Sequence, residues 1–314
     1  VVTGGPSCQS FSLAGRRKKL DKRDDLFFHY LKVIKALRPK YFVMENVKGI
    51  LTKDEGRIKE RILREIRSIV DDAKMNYLFA FMANNIRALM PSSLYEILYA
   101  RLCMETLDCD RERQHEIVFN NLDQQLKDLT KHLPYNVSKS DESVNTIRHG
   151  LLLLKMKQQR DSIRKQIIQL KTNSHIDNDT FVDEYNAIIE TISDEKILEK
   201  TFDAIDEVTT IGKCHNEAAT LKKSLEILIS TFDECIDFIG EQVKDDKFLT
   251  SNLNSLMKEI RLYNIEEPMV LLSSNYGVPQ NRERVVFIGC RNDQEIINEI
   301  PATVSDYEKV KVYE

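Results

Sequence analysis

Three short stretches hold the side chains with the most chemical potential. GGPSCQSFS (4–12) presents a thiol at Cys8, MENVKG (44–49) a carboxyl at Glu45, and QNRER (280–284) the guanidiniums of Arg282 and Arg284. A thiolate is a nucleophile toward electron-poor carbon. A carboxyl can give up a proton as charge develops on a reacting group. The planar fork of an arginine can hold a carboxylate or a carbonyl oxygen in place. Directly behind the thiol come Arg16, Arg17, Lys18, Lys19, Lys22 and Arg23, a density of charge suited to phosphates. Each feature has a plainer reading when taken singly. A lone Pro-Ser-Cys is weak, any strand can end in Glu-Asn, and QNRER or the basic run could be a solvated surface.

These groups need a scaffold that brings them together. Residues 1–3 read as the end of a buried strand, cut off by Gly4, Gly5 and Pro6. In residues 24–37 Leu26, Phe27, Tyr30, Leu31 and Ile34 recur at three and four, which predicts a helix ended by Pro39. A second strand follows at 41–44, ending at Glu45 and Asn46, and Ile58, Ile62, Ile66, Ile69 and Val70 mark another helix. Strand, helix, strand, helix predicts a parallel sheet with crossovers. Cys8 and Glu45 would then lie at the carboxyl ends of neighbouring strands, where open α/β sheets bind ligands. Residues 269–272 and 285–289 are strand-like again and could pair antiparallel on the same sheet.

The chain between these ends is different. Residues 71–262 carry 24 Lys+Arg against 33 Asp+Glu, whereas the rest carries 22 against 17. The middle has little glycine and reads as amphipathic helices at about 93–132, 141–172, 179–191, 194–208, 217–243 and 249–262. Stripes such as Leu151, Leu154, Met156, Ile163, Ile167 and Leu170 are core. An acidic middle is a poor match for phosphates. Cys103, Cys109 and His115 fit no standard zinc spacing, so no metal site is expected. His29 falls on a predicted helix, a poor basis for a Cys-His hydrolase. The 314 residues are 42% hydrophobic and 31% charged, the profile of a soluble globular protein. No apolar run approaches the roughly 20 residues of a membrane span. Six cysteines without paired spacing read as reduced thiols in a cytosolic compartment.

Taken in order, the three stretches closely resemble the cytosine-5 DNA methyltransferase family, whose signature is a Pro-Cys loop, then Glu-Asn-Val, then Gln-x-Arg-x-Arg. The resemblance covers about 1–70 and 269–314. It implies an α/β fold: a partial Rossmann-like sheet of the S-adenosylmethionine-dependent methyltransferase type, carrying a large all-α insertion. It also implies the activity, methyl transfer from S-adenosylmethionine to carbon 5 of a cytosine flipped out of double-stranded DNA. Cys8 would add to carbon 6, Glu45 would serve N3 as acid, and Arg284 with Arg282 would bond the ring O2 and orient the carboxylate. By the same resemblance the Pro6 carbonyl would meet the exocyclic amine. Pro6 and Leu26 would lie near the methyl donor, and Asn46 and Val47 would shape the pocket. Gln9, Ser12 and Gln280, with Arg16, Arg17 and Lys18, would contact the DNA. Where the family usually has a second proline, this chain has Ser7.

Two departures from the family set further expectations. Its glycine-rich cofactor loop would precede Val1, and its target-reading domain would follow the 30 residues after Arg284. A fragment is therefore expected, inactive by itself. The 233 residues between Asn46 and Gln280 exceed the family's few tens. The expected domains are catalytic core at 1–70 and 263–314 and a helical insertion at 71–262, which would dock a restriction component or another protein. The implied setting is a bacterial restriction-modification system in the cytoplasm or nucleoid. Rival readings are a tRNA cytosine-5 methyltransferase of the same fold, against which Ser12 speaks because that branch commonly has threonine there, and a helical interaction protein with a dead catalytic remnant.

Overall fold

The computed structural model describes residues 1–6, 25–106, 108–133, 138–158, 194–305 and 309. The chain divides into two compact units, 1–77 with 247–314, and 78–246.

In the first unit a five-stranded mixed sheet is assembled from both ends of the chain. Strand β1 (Val2–Gly4) is followed in the described residues by helix α1 (Asp25–Leu37) and then by β2 (Tyr41–Val47), which lies parallel to β1. That parallel pair with a helix between is what the sequence pattern predicts. The helix stops where expected. Arg38 takes a left-handed conformation (φ 45°) while its N–H still bonds the Ile34 carbonyl at 2.9 Å, and Pro39 follows. A short 3-10 turn at Lys48–Leu51, another at Lys53–Gly56 and helix α2 (Arg57–Arg67) come next.

The sheet is not all parallel, however. Strands β3 (Tyr263–Ile265) and β4 (Met269–Leu272) both pair antiparallel with one edge of β5 (Glu283–Arg291), and the other edge of β5 runs antiparallel to β2. The expected β4–β5 pair is present. The central place of β5 beside β2, and β3 altogether, were beyond the local pattern, because partner choice between strands far apart in sequence is a tertiary matter. Strand β2 also runs to Val47, past the Met44 limit read from the apolar run, so Glu45 and Asn46 are still within the ladder.

Alternation sets two faces. Phe42 and Met44 of β2 and Val285 and Phe287 of β5 are buried against Phe27, Leu31 and Ile34 of α1 and Ile58, Ile62 and Ile66 of α2. The opposite face collects Val286, Ile288 and Cys290 with Tyr41 and Val43. Tyr263 packs edge-on against Phe42, with ring centroids 5.0 Å apart, and its hydroxyl donates to the Pro39 carbonyl at 2.9 Å. Burial pushes the pKa of that phenol up to about 12.

Gly289, cross-strand partner of Phe42, leaves the space its ring occupies. A Cβ at 289 would stand 1.9 Å from Phe42 Cε1 and 2.1 Å from Cζ. Gly289→Ala is therefore expected to destabilise the protein by about 1–3 kcal/mol, the usual cost of overpacking a core. A lowered denaturant midpoint with unchanged slope would register it. Adding Phe42→Leu should recover part of the loss, a coupling that independent sites would not show.

The second unit is helical: α4 (Ser92–Cys103), α5 (Arg111–Thr130), α6 (Ser138–Gln158), α7 (Asp194–Gly212), α8 (His215–Ile229) and α9 (Phe232–Val243), preceded by α3 (Met75–Phe81), which contains the unit boundary. Two stretches that read as single helices are each broken by a cap. Asp110 accepts from the Arg113 N–H and starts α5. Thr231 and Glu234 form a reciprocal capping box that separates α8 from α9. The apolar period runs on across both breaks, which is why periodicity alone joins them. Helix α10 (Lys247–Ile260) belongs to the first unit and leads to β3. Of the expected helices, 179–191 and the part of 141–172 beyond Gln158 lie outside the described residues. No described helix is long and apolar enough to cross a membrane.

Candidate active site

The ends of β2 and β5 create the site. Register pairs Glu45 with Val286 and Val47 with Arg284, so Glu45 and Arg284 are diagonal neighbours on one face, within reach of long side chains. The Arg284 Nε meets the Glu45 carboxylate in an ion pair, with the guanidinium side chain 21% exposed and the carboxylate side chain 47% exposed. A more buried arginine facing a more open carboxylate leaves the acid accessible from the cleft.

The next residue of β2 points the other way. Asn46 lies on the face of Phe42 and Met44, is buried, and must satisfy its amide internally. Its Nδ2 donates to the Pro6 carbonyl at 2.9 Å and its Oδ1 accepts from the Val47 N–H at 2.9 Å. That bond ties the segment leaving β1 to the strand that carries Glu45. Of the two glycines of the opening motif, Gly4 has the less room. A Cβ at Gly4 would stand 2.7 Å from the Tyr30 ring, and one at Gly5 would stand 3.2 Å from Glu45 Oε2. Tyr30 in turn donates to the Val43 carbonyl at 2.9 Å, and burial raises its pKa.

Arg282 is placed by its backbone. Its carbonyl accepts from both the N–H (3.0 Å) and the hydroxyl (2.7 Å) of Ser273, which closes the β4–β5 connection. Within that connection a 3-10 turn at Ser273–Tyr276 ends on Gly277 in the left-handed region (φ 78°).

Gly5, Pro6, Glu45, Asn46, Val47, Gly49, Ile50, Lys53, Arg282 and Arg284 together line a cleft of about 450 Å³. Pro6, Glu45, Asn46, Val47, Arg282 and Arg284, expected at the site, thus converge. Gln280 sits in the β4–β5 connection outside the cleft lining, and Leu26 is 45% exposed near the start of α1, also outside it. Cys8, Gln9, Ser12, Arg16, Arg17 and Lys18 lie outside the described residues. Ile50 and Lys53 were missed. Their signal was weak, since both fall in the turn after a motif rather than in it.

Burial pushes the Cys103 thiol up to about 11 and the Cys235 thiol up to about 12, and it raises Cys109 and Cys214 as well. Burial with nearby Arg111 lowers the pKa of His115. Among the described residues no group of three or more His, Cys, Asp or Glu side chains could hold a metal ion.

The sequence profile of C-5 cytosine-specific DNA methylases matches residues 1–240 and 241–313. The chain belongs to the C-5 cytosine-specific DNA methylase family. Among curated relatives of this chain, type II methyltransferase M.AquIA of Picosynechococcus sp. is 43% identical over 81 residues, 26% of this chain and 33% of that protein. Type II methyltransferase M.DdeI of Desulfomicrobium norvegicum is 44% identical over 71 residues, 22% of this chain and 17% of its own. Orphan methyltransferase M.SPRI of Bacillus phage SPR is 51% identical over 57 residues, 18% of this chain and 13% of its own. The chain thus spans a third or less of the length of these curated relatives. No solved structure matches it.

Proposed function

We propose that this chain carries the catalytic centre of a DNA cytosine-5 methyltransferase, the modification component of a restriction-modification system. The observation that supports this best is the Glu45–Arg284 ion pair at the strand ends, in one cleft with Pro6. Cys8 follows Pro6 by two residues in the sequence.

The division of labour follows from the chemistry of the ring. Carbon 5 of cytosine is a weak nucleophile. Addition of the Cys8 thiolate to carbon 6 pushes an electron pair through the ring and makes carbon 5 an enamine carbon. Negative charge develops at N3, where the Glu45 carboxyl donates its proton. Arg284 holds that carboxyl in position and bonds the ring O2. The Pro6 carbonyl, which accepts from Asn46, would also meet the exocyclic amine. Once carbon 5 carries the methyl group, its proton passes to a base such as water, the thiolate leaves carbon 6 and N3 returns its proton to Glu45, which restores the aromatic ring.

The family uses S-adenosylmethionine, which when bound supplies an electrophilic methyl group. By the family resemblance Pro6, in the cleft lining, and Leu26, exposed near the start of α1 and outside that lining, would face it. The sheet of the first unit is then part of the family's methyltransferase sheet, and residues 71–262 are an insertion that docks a protein partner. One geometric fact supports the insertion. Val70 and Arg261 form an antiparallel bridge, with the Asp71 N–H on the Ile260 carbonyl and the Leu262 N–H on the Ile69 carbonyl, each 2.8 Å, so the chain departs and returns side by side.

The test is transfer of tritiated methyl from S-adenosylmethionine by the natural protein that carries this sequence. Label is expected on cytosine in duplex DNA and not on tRNA. Label on tRNA alone would overturn the DNA reading.

A further inference from the structure

The described glycines of the first unit have local reasons to be glycine, with one exception. Gly56 and Gly277 take left-handed backbone (φ 86° and 78°). Gly4, Gly5 and Gly289 stand where a Cβ would come within 2.7, 3.2 and 1.9 Å of a neighbouring atom. Gly49 has neither reason. It lies inside the 3-10 turn Lys48–Leu51, is not among the positive-φ glycines, and meets no described residue beyond its chain neighbours within 4 Å of the place its Cβ would take. An alanine would fit there and would reduce the conformational freedom of the unfolded chain, so the glycine is held at some cost in stability. Gly49 is exposed and lines the cleft together with Glu45 and Arg284. A bare backbone that neither its own conformation nor its neighbours require, set in the wall of a cleft, suits the close approach of a ligand.

We propose that Gly49 is a size-determining position for the substrate, because the sugar of the nucleotide that carries the target cytosine passes against its bare backbone. This rests on the methyltransferase reading and names the part of the substrate that this wall receives. On that reading the polar edge of the ring faces Glu45, Arg284 and Pro6. The glycosidic bond leaves from N1, across the ring from the exocyclic amine, and the strand continues into the duplex on both sides, so the sugar stays at the mouth of the cleft. Gly49 belongs to the outer part of the wall. It is exposed, as is Val47 at 50%, whereas the next residue of the turn, Ile50, is 1% exposed and anchors the turn in the core. A sugar ring is bulky and uncharged, so it needs room at this place more than it needs a charged partner. An anchored turn without a side chain supplies that room.

A glycine kept for a ligand has a signature that a glycine kept for the fold lacks: filling it leaves stability intact and weakens binding. The experiment is a series at position 49 in the natural protein that carries this sequence, with melting curves beside tritiated methyl transfer to duplex DNA over a range of DNA concentrations. Gly49→Ala should melt at or above the wild-type temperature and raise the KM for DNA slightly. Gly49→Leu should raise that KM by about tenfold, the equivalent of about 1.4 kcal/mol. Its kcat should stay near wild type, because position 49 does not touch the reacting atoms and the loss falls on binding alone. Thr52→Leu places the same side chain at an exposed position just after the turn and outside the cleft lining, and should keep the wild-type KM. A Gly49→Leu protein with a wild-type melting curve and an unchanged KM would overturn this inference and leave the methyltransferase reading standing. An equal rise of KM in Thr52→Leu, or a lowered melting temperature in Gly49→Ala, would overturn it too. A wild-type protein that transfers no methyl group to DNA would remove both.

Discussion

Cys8→Ser is expected to abolish both methyl transfer and the covalent complex with DNA containing 5-fluorocytosine. Fluorine at carbon 5 cannot depart as a cation, so in the wild-type protein the reaction stops after methyl transfer with sulfur still bonded to carbon 6. The adduct then survives denaturing electrophoresis. A serine hydroxyl, with no group given over to removing its proton, is too weak a nucleophile to replace the thiolate. The other cysteines make the experiment sharp. Cys103, Cys109, Cys214 and Cys235 all have thiols pushed up by burial, Cys235 to about 12, so they stay protonated at neutral pH and react slowly. Serine at Cys103 or Cys109, both only partly buried, should leave the adduct intact. Persistence of the adduct in Cys8→Ser would place the nucleophile elsewhere and remove the basis of the mechanism.

The site was more legible in the sequence than the fold that builds it. Glu45, Asn46, Val47, Arg282 and Arg284 stand in two short motifs, and each motif carries its own local geometry. The period-two burial of YFVMENV fixes which way Glu45 and Asn46 face, and the turn residues of SSNYGVPQNRER close the strand pair that presents Arg284. What could not be read was the partnership. Nothing local in ERVVFIGCR states that it will lie between β2 on one side and both β3 and β4 on the other. The signal is present but distributed. Gly289 matters only because Phe42, far away in sequence, needs its missing side chain. The role of Asn46 is of the same kind, since a buried amide announces that it needs partners but not that one of them is Pro6. In the helical unit the errors ran the other way. Apolar periodicity continued through Asp110 and Thr231, and a single capping side chain at each place decided the break. Lys53 shows a third limit, because a lysine in a polar turn becomes informative only once the turn is seen to border a cleft.

Glu45→Gln should slow methylation and adduct formation by a factor of about 10² to 10⁴, the usual contribution of a positioned acid. Glutamine keeps the length of the side chain and can still donate a hydrogen bond to N3. It cannot hand over a proton as charge develops there, so the addition step loses its acid while the nucleophile remains. The adduct with 5-fluorocytosine DNA should therefore still form, slowly, in contrast to its absence in Cys8→Ser. Stability provides the control. The Glu45–Arg284 pair is partly open to solvent, with the carboxylate side chain 47% exposed, and pairs of this kind contribute at most about 1 kcal/mol. A melting temperature close to wild type is expected beside a large loss of rate. Arg284→Lys tests the other half of the pair, since a point charge can neutralise Glu45 but cannot bond the carboxylate and the ring O2 from one planar fork. It should lower the rate by itself but add little further loss when combined with Glu45→Gln, because the two side chains act as one unit and their losses do not add. A Glu45→Gln protein that traps fluorinated DNA at the wild-type rate would show that protonation at N3 comes from elsewhere, and the ion pair would then be a brace for the strand ends and not the acid of the reaction.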